Sequence, residues 1–350
     1  MMLRWRGKPP EKVLNCPVSG VEFAYNERYN TDIFSWVKHI RILEGVMRTI
    51  ISRGWVMLLT VLCLLMSVAE AEKVYIENEW GFVEESMDIS GGIPEKATGR
   101  LALIRDKGVL RVATEPYFPP QEFIDASREG QDQYIGSDME LARRIAQKMG
   151  VRLQILPMEF TRVLPAVAEG EADLAISGLC FTPGRAATAE MSIGYNFAGE
   201  EAGSALLIRT EDLESIPSLE ALEGRNLVAQ RGSLQETLLA EKVTGYHQYL
   251  RVPSVMEVYE AIADGRADAS LVDIASARAY LREHEEARLT LVEEVVFRQE
   301  AQYEGDRVAA RKGETQLIAF VNGVIEELLR DGQYQKWFEE YTEVAARLGL

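Results

Sequence analysis

The sequence predicts an α/β protein that contains two similar units. Residues 171–195 begin with an apolar run that suits a strand buried on both faces of a parallel sheet, and Thr182 then precedes Pro183 as an N-cap precedes the first helical residue. The pattern of a helix end, a glycine and a buried strand at residues 166–176 recurs at residues 261–271. With 350 residues, of which 47% are apolar, the chain is long enough for two domains with sizeable cores.

A charged residue follows each of the repeated strands. Arg185 comes after the first strand and Asp273 after the second. Ligands of open α/β sheets lie at the carboxyl ends of strands, so the two units would present a cation and an anion across one crevice. Arg185 also stands at a helix start, and its planar guanidinium fits a carboxylate. The pair suits a zwitterion, and the alternative is an ordinary surface arginine at a helix start.

Residues 1–71 are predicted to precede the folded part. Two arginines, an apolar run at residues 55–68 and small residues follow one another in the order of a secretory signal peptide, which we assign to residues 47–71 with cleavage after Ala71. The alternative is a membrane anchor, but the run is shorter than the ~20 residues that span a bilayer. Translation from Met47 would make residues 1–46 a non-native or dispensable leader.

Composition excludes several classes of partner. Without residues 1–71 the chain loses nine basic and six acidic residues, and its net charge becomes −20. Such an acidic body repels phosphate backbones, so nucleic acid is not an expected partner. Cys180 is then the only cysteine, which rules out an intramolecular disulfide. His247 and His284 lack metal-ligand spacing, so no metal site is expected, and no phosphate-binding loop or other motif indicates another cofactor.

Strands and helices alternate through both units. Residues 72–100 form an acidic arm that is expected to be loosely ordered, and the polar residues 196–203 lead into the second unit. Gly232 and Ser233 precede a helix and would offer N–H groups to an anion, although an ordinary N-cap has the same pattern. Strands are predicted at residues 110–114, 151–156, 172–177, 204–208, 226–230 and 289–297. Helices are predicted at residues 137–149, 160–169, 234–242, 273–282, 315–329 and 334–346.

The span from residue 101 to residue 341 resembles family 3 extracellular solute-binding proteins, the polar amino-acid receptors of ABC importers. The matching landmarks are residues 110–115, 119–120, 136–142, 164–166, 182–185, 222–225, 230–233, 267–273 and 310–313. The resemblance implies a type 2 periplasmic-binding-protein fold, in which two α/β lobes joined by a two-segment hinge close on a ligand. Residues 101–203 with 299–350 would form lobe 1, and residues 204–298 would form lobe 2.

The resemblance also implies roles for individual residues. Arg185 would bind the ligand carboxylate, Asp273 its ammonium group, and Ser233 would add a donor from lobe 2. The other residues at ligand-contacting positions are Glu115, Phe118, Phe160, Gly178, Cys180 and Leu234. Phe118 and Phe160 would sandwich the ligand, and core packing is their alternative role.

Three positions depart from the family pattern. Cys180 replaces a Ser or Thr that contacts the carboxylate, and a thiol is a poor donor. Leu234 replaces a Thr, and Gln121 replaces an aromatic residue. Each lost hydrogen bond to a charged group is worth ~1.5–3 kcal/mol, so the ligand is expected to differ from a standard amino acid or to bind it weakly.

These observations favour a periplasmic, monomeric solute-binding protein without catalytic activity. It would bind a small amino-acid-like, carboxylate-bearing solute and deliver it to an inner-membrane ABC permease. Two alternatives remain open. One is a periplasmic enzyme on the same fold, similar to cyclohexadienyl dehydratase, with Glu115 as its acid or base. The other is a free accessory or sensory protein.

Overall fold

The computed structural model describes residues 75, 77, 78 and 80–350, together with the backbone of two short strands, Leu14–Asn15 and Glu22–Phe23, which pair antiparallel. Apart from those two strands, the leader predicted at residues 1–46 lies outside the described residues. The signal peptide predicted at residues 47–71 lies outside them as well. The fold described below is that of the second compact unit, residues 74–350.

Lobe 1 is organised around a mixed five-stranded sheet in the order β5-β1-β6-β13-β7. Its strands are β1 (Val109–Thr114), β5 (Arg152–Pro157), β6 (Leu174–Ala175), β7 (Ala189–Met191) and β13 (Ala309–Arg311). A small antiparallel sheet beside it contains β2 (Tyr117–Phe118), β3 (Glu122–Ile124) and β4 (Tyr134–Ile135). Its helices are α1 (Gly99–Lys107), α2 (Ser137–Met149), α3 (Phe160–Glu169), α4 (Pro183–Thr188), α8 (Thr315–Asp331) and α9 (Gln333–Leu348).

Lobe 2 contains a second five-stranded sheet, in the order β10-β9-β11-β8-β12. Its strands are β8 (Ser204–Arg209), β9 (Asn226–Gln230), β10 (Gln248–Val252), β11 (Ala269–Asp273) and β12 (Leu289–Phe297). Its helices are α5 (Leu234–Lys242), α6 (Val255–Ala263) and α7 (Ile274–Glu283). Strand β9 is parallel to β10 and β11, whereas β8 is antiparallel to β11 and β12.

The internal repeat of the sequence corresponds to a repeated interaction in the two lobes. Asp173 precedes β6 and accepts the backbone N–H of Arg111 at 2.7 Å, while its own N–H donates to Arg111 O at 2.8 Å. Asp268 precedes β11 and makes the same pair of bonds with Asn226, at 2.8 and 2.7 Å. Each aspartate thus fixes the register of a parallel strand pair in its lobe.

The expectation of a loosely ordered arm is wrong for the described residues of 75–100, which form part of the lobe 1 core. Val83 and Ile89 are buried against α8, and the Val83 N–H donates to Met191 O at 3.0 Å, beside β7. The buried Asn322 side chain donates from Nδ2 to the carbonyl oxygens of Val83 at 2.8 Å and Glu85 at 2.9 Å. Apolar residues within this acidic segment therefore hold it in place.

Two chain segments connect the lobes, after residue 195 and after residue 297. Gly203 ends the first crossover, and an added Cβ there would lie 2.4 Å from Phe297 O, so the close pairing of the two segments requires glycine at φ +120°. Asn196 Nδ2 donates to Asp306 Oδ2 at 2.8 Å, which joins the first crossover to the second.

Strand β6 is shorter than the predicted residues 172–177, and its neighbour β13 is antiparallel to it.

Candidate functional site

A cavity of about 330 Å³ lies between the two lobes. Its volume falls in the range of small-molecule sites. All of the residues singled out from the sequence line it, namely Glu115, Phe118, Phe160, Gly178, Cys180 and Arg185 from lobe 1, and Ser233, Leu234 and Asp273 from lobe 2.

Arg185 projects from the first turn of α4. Its backbone N–H donates to the Oγ1 of Thr182 at 3.1 Å, which is the N-cap bond predicted from the sequence. Nη1 donates to Cys180 O at 2.8 Å, and Nη2 donates across the cleft to Gly232 O at 3.2 Å. No carboxylate among the described residues forms an ion pair with this guanidinium. Its positive charge in the cavity would therefore attract an anionic group of a ligand.

Asp273 ends β11 and is also the N-cap of α7. Its Oδ1 accepts the N–H of Ser276 at 2.9 Å, so the side chain has a fixed orientation. Burial raises the pKa of Asp273, and the hydrogen bond from Ser276 opposes the rise. An ammonium group in the cavity would compensate the buried charge, because an unpaired buried carboxylate is costly.

Ser233 and Leu234 form the start of α5 in lobe 2. The Oγ of Ser233 accepts the N–H of Glu236 at 2.9 Å, which makes Ser233 the N-cap. A hydroxyl that accepts one bond still has a proton to donate, so Ser233 could donate to a ligand oxygen. Leu234 presents an apolar side chain at the same wall.

Glu115 directly follows β1 and is only 2% exposed. Its pKa is raised to about 8, chiefly by burial and in smaller part by the nearby Glu257, although the Tyr117 N–H and the Gln230 side chain act to lower it. Its Oε2 has no hydrogen-bond partner among the described residues. An unpaired oxygen of this kind is available to a donor on a ligand.

The two aromatic residues combine cavity and core contacts. Phe118 packs on the core of lobe 2 although it belongs to lobe 1, and Phe160 packs on a core cluster of lobe 1. Gly178 lies beneath Phe118 at φ +50°, and a Cβ there would lie 2.9 Å from the Phe118 ring. Arg185 lies 5.5 Å from the centroid of the Phe160 ring. Both rings are thus held at the walls of the cavity.

Cys180 lies directly beside the guanidinium of Arg185. Arg185 Nη1 donates to its Sγ at 3.2 Å. Burial raises the pKa of the thiol, and the charge of Arg185 opposes that rise. The thiol is therefore a neutral, weak donor at neutral pH, as expected from its residue type.

Three acidic residues that line the cavity, Glu122, Glu304 and Asp306, were missed by the sequence analysis. Glu122 is buried, accepts the Ser177 hydroxyl at 3.0 Å, and has a pKa raised well above its usual value by burial and by the nearby Asp138. Asp306 lies in the second crossover, and burial raises its pKa to about 7. Glu122 lies two residues after the landmark at residues 119–120 and Asp138 lies within the landmark at residues 136–142, which was an available signal, whereas Asp306 has no local pattern around it.

Among the described residues, no group of His, Cys, Asp and Glu is arranged to hold a metal ion. Within the part of the chain that the structure describes, no helix is both long enough and apolar enough to cross a membrane.

A two-lobed α/β fold with a charged cleft between the lobes agrees with comparison to known families. The model of bacterial extracellular solute-binding proteins, family 3, matches residues 110–344. The chain belongs to this family. The predicted family and the predicted two-lobed fold are therefore confirmed.

Individual family 3 proteins resemble the chain at moderate identity. The L-cystine-binding protein TcyJ of Escherichia coli is 27% identical over 247 residues, which cover 69% of this chain and 86% of that protein. The Streptococcus pneumoniae amino acid ABC transporter substrate-binding protein AbpA, solved bound to L-arginine, has a TM-score of 0.63 and 29% identity, and covers 70% of this chain and 99% of that one. Both of these proteins are named for, or were solved with, a bound amino acid.

An enzyme also resembles the chain. Cyclohexadienyl dehydratase of Pseudomonas aeruginosa is 30% identical over 200 residues, which cover 53% of this chain and 67% of the enzyme. Membership of the family therefore does not by itself separate a receptor from an enzyme.

Proposed function

We propose that the protein is a periplasmic receptor that binds an amino acid between its lobes and delivers it to an ABC importer. The proposal rests on one observation: Arg185 from lobe 1 and Asp273 from lobe 2 line the same cavity. Arg185 would bind the α-carboxylate and Asp273 the α-ammonium group, with Ser233 as an additional donor. Binding would then stabilise the closed arrangement of the lobes, because the ligand contacts both.

The relatives support amino acids as the ligand class. Among the matched proteins, TcyJ is named for L-cystine and AbpA was solved with L-arginine. The acidic interior of the cavity, with Glu115, Glu122 and Asp306, disfavours purely anionic solutes.

Calorimetry on the protein purified from cells that export it, against a panel of amino acids, tests the binding function. We expect at least one amino acid to bind with a Kd in the micromolar range or below, and Arg185→Ala to weaken that binding by about 100-fold or more. Uptake of the same amino acid should fall when the gene is deleted. An Arg185→Ala protein that binds as tightly as wild type would refute the assigned role of Arg185.

A second candidate function is catalysis at the same cavity. The observation that favours it is Glu115, a buried carboxyl group in the cleft with a pKa raised to about 8, which suits a general acid. Incubation with prephenate or arogenate, followed by detection of product, distinguishes the two functions. Turnover that Glu115→Gln abolishes would establish the enzyme, whereas absence of turnover together with amino-acid binding would favour the receptor.

A further inference from the structure

A loop in the N-terminal segment lies outside the residues that the family shares. It comprises the described residues of 77–83, and we call it the N-terminal loop, whereas the family match begins at residue 110. Asn78 fixes its shape, because Asn78 Oδ1 accepts the N–H groups of residues 80, 81 and 82 at 3.0, 3.0 and 3.1 Å. The Asn78 N–H in turn donates to Phe82 O at 3.0 Å. The loop is therefore a closed turn with its own hydrogen bonds.

The N-terminal loop contacts α4 at the residue next to Arg185. A Cβ added to Gly81 would lie 3.3 Å from the Cβ of Ala186, so the loop backbone packs directly against the helix. Lys312 joins the same two elements, since its Nζ donates to both carboxylate oxygens of Glu77 and to Ala186 O, each at 2.8 Å. Helix α4 has only six residues, so contacts with other elements determine its orientation.

Phe82 connects the N-terminal loop to the second crossover. The guanidinium carbon of Arg307 lies 3.9 Å from the centroid of the Phe82 ring, which is within cation–π distance. Arg307 is 2% exposed and donates to Ser192 O at 2.8 Å and to Gln302 O at 2.9 Å. Among the described residues no carboxylate pairs with it, and burial lowers its pKa to about 10. The aromatic face therefore compensates a buried cation that lacks a counter-charge.

The Phe82 ring also packs on the segment between β6 and α4. The rings of Phe82 and Phe181 meet edge to face, with their centroids 5.9 Å apart. Arg307 donates its backbone N–H to Leu179 O in the same segment at 2.8 Å. Phe82 and Arg307 thus hold the segment that leads into α4, and Arg185 at the start of that helix lines the cavity.

We propose that the N-terminal loop positions Arg185 for ligand binding, by holding α4 through Phe82 and Lys312. The inference rests on the proposed function, because it takes Arg185 as the group that binds the carboxylate. None of the described residues of the loop lines the cavity, so the loop acts through Arg185 and not by contact with a ligand. Affinity should therefore depend on a segment that precedes the family match.

Two substitutions remove the contacts between the loop and the helix. Phe82→Leu removes the aromatic face from Arg307 and Phe181 but keeps an apolar side chain. Lys312→Met removes the donor to Ala186 O but keeps the aliphatic chain. Calorimetry uses the amino acid that binds wild type most tightly in a panel of the standard amino acids and L-cystine. We expect each variant to bind it at least about fivefold more weakly than wild type.

Matched controls make the same substitutions elsewhere in lobe 1. Phe320→Leu replaces a fully buried phenylalanine of α8, and Lys148→Met removes the ion pair that joins α2 to Glu327 of α8. Both controls alter stability without touching α4. Their affinity for the same amino acid should stay within about twofold of wild type.

A double-mutant cycle with Arg185→Ala distinguishes positioning of Arg185 from general destabilisation. If the loop acts through Arg185, Phe82→Leu should change affinity by less than about twofold in the Arg185→Ala background. An equal loss of affinity in both backgrounds would overturn the proposal. Competition binding measures the weak affinities that the cycle requires.

Hydrogen exchange of the free protein gives a readout that needs no ligand. The amides of α4 should exchange at least about threefold faster in Phe82→Leu and in Lys312→Met, while those of lobe 2 should exchange as in wild type. Unchanged exchange of α4 in both variants, or unchanged affinity in both, would overturn the proposal and leave the receptor function intact. Failure of every panel member to bind wild type would remove the receptor function, and with it the role of Arg185 on which this inference depends.

Discussion

The guanidinium of Arg185 connects the two lobes, because its Nη2 donates to Gly232 O in lobe 2 at 3.2 Å. The same side chain donates to Cys180 O and Cys180 Sγ in lobe 1. An arginine has five N–H donors in a fixed plane, so these bonds still leave donors for a ligand carboxylate. One residue can therefore hold the lobes together and bind the ligand.

Arg185→Lys should separate the charge of this residue from its geometry. A lysine keeps the positive charge, but its single ammonium group cannot donate to Cys180 O, to Gly232 O and to a ligand carboxylate at the same time. We expect affinity for the preferred amino acid to fall by about 10-fold to 100-fold, which is less than the loss for Arg185→Ala. Calorimetry measures the affinity and thermal unfolding checks the fold. A lysine variant that binds the amino acid as tightly as wild type would show that the positive charge at residue 185 determines affinity and that the guanidinium geometry does not contribute.

Asp273→Asn should weaken binding while preserving α7. Asparagine is as good an N-cap as aspartate, so the bond to Ser276 is retained and the melting temperature should stay within about 2 °C of wild type. The lost negative charge should reduce affinity by about 30-fold or more. Ser254→Ala is the opposite control, because it removes the N-cap of α6 and should cost about 1 kcal/mol of stability without the same loss of affinity. Unchanged affinity in Asp273→Asn would contradict the assigned role.

Cys180→Ser should strengthen binding of the ligand carboxylate. The serine hydroxyl is a better donor than the thiol and matches the residue that the family pattern has at this position. We expect a gain of about threefold to tenfold in affinity, with Cys180→Ala at or below wild type. Competition binding with one labelled amino acid resolves differences of this size. A serine variant that binds more weakly would mean that the larger sulfur atom contributes through packing.

Glu115→Gln should stabilise the free protein at high pH. Burial raises the pKa of Glu115 from 4.5 in the unfolded chain to about 8, so the native state holds this proton more tightly. Its contribution to stability is present below the unfolded pKa and is lost as the pH rises through 8. We expect the free energy of unfolding of the variant relative to wild type to increase between pH 5 and pH 8, by on the order of 1 kcal/mol per pH unit.

Urea unfolding at three pH values in that window measures the effect of Glu115→Gln. Glu294→Gln removes an exposed carboxylate of β12, and its difference from wild type should stay within about 0.5 kcal/mol throughout. If the free energy of unfolding of Glu115→Gln changed with pH in parallel with that of wild type, Glu115 would be ionised in the folded protein throughout this pH window.

Asn322→Leu should detach the N-terminal segment from lobe 1. The substitution leaves the carbonyl oxygens of Val83 and Glu85 and the N–H of Ile193 without their partner. Because this site is fully buried, we expect a loss of about 3 kcal/mol or more in the free energy of unfolding. Gln316→Ala is the control, since it breaks an exposed bond to Thr98 and should cost less than about 1 kcal/mol. Equal losses of unfolding free energy in Asn322→Leu and Gln316→Ala would contradict the role of the buried Asn322 hydrogen bonds in holding the N-terminal segment.

Much of the fold follows from local signals in the sequence. The left-handed Gly150 ends α2, and Ser233 and Asp273 start helices as N-caps, so these boundaries were predicted within about two residues. Strand β6 was predicted too long, because its neighbour β13 comes from residues 309–311 and nothing local specifies that pairing. The acidic arm was misjudged for a similar reason. Its stability depends on Asn322, more than 200 residues further along the chain.

The candidate site was predictable where it follows strand ends. Arg185 and Asp273 were found because each is the charged residue that follows a copy of the internal repeat, and both line the cavity. Asp306 was not found, because a single aspartate in a crossover has no periodicity to mark it. Its burial near Asp273 and Asp138 arises only when the chain returns from lobe 2. This part of the acidic lining of the cavity therefore depends on long-range contacts, which no local sequence pattern contains.

The hydrogen bond between Asn196 and Asp306 limits the ways in which the lobes can move. It joins the outgoing and returning segments at 2.8 Å, next to the backbone hydrogen bond that the Tyr195 N–H donates to Asp306 O at 2.9 Å. Two separate tethers would let one lobe twist, slide or tilt against the other. Segments joined to each other constrain each other, so we expect motion of one crossover to be coupled to motion of the other. A ligand held by both lobes would therefore act on both connecting segments at once.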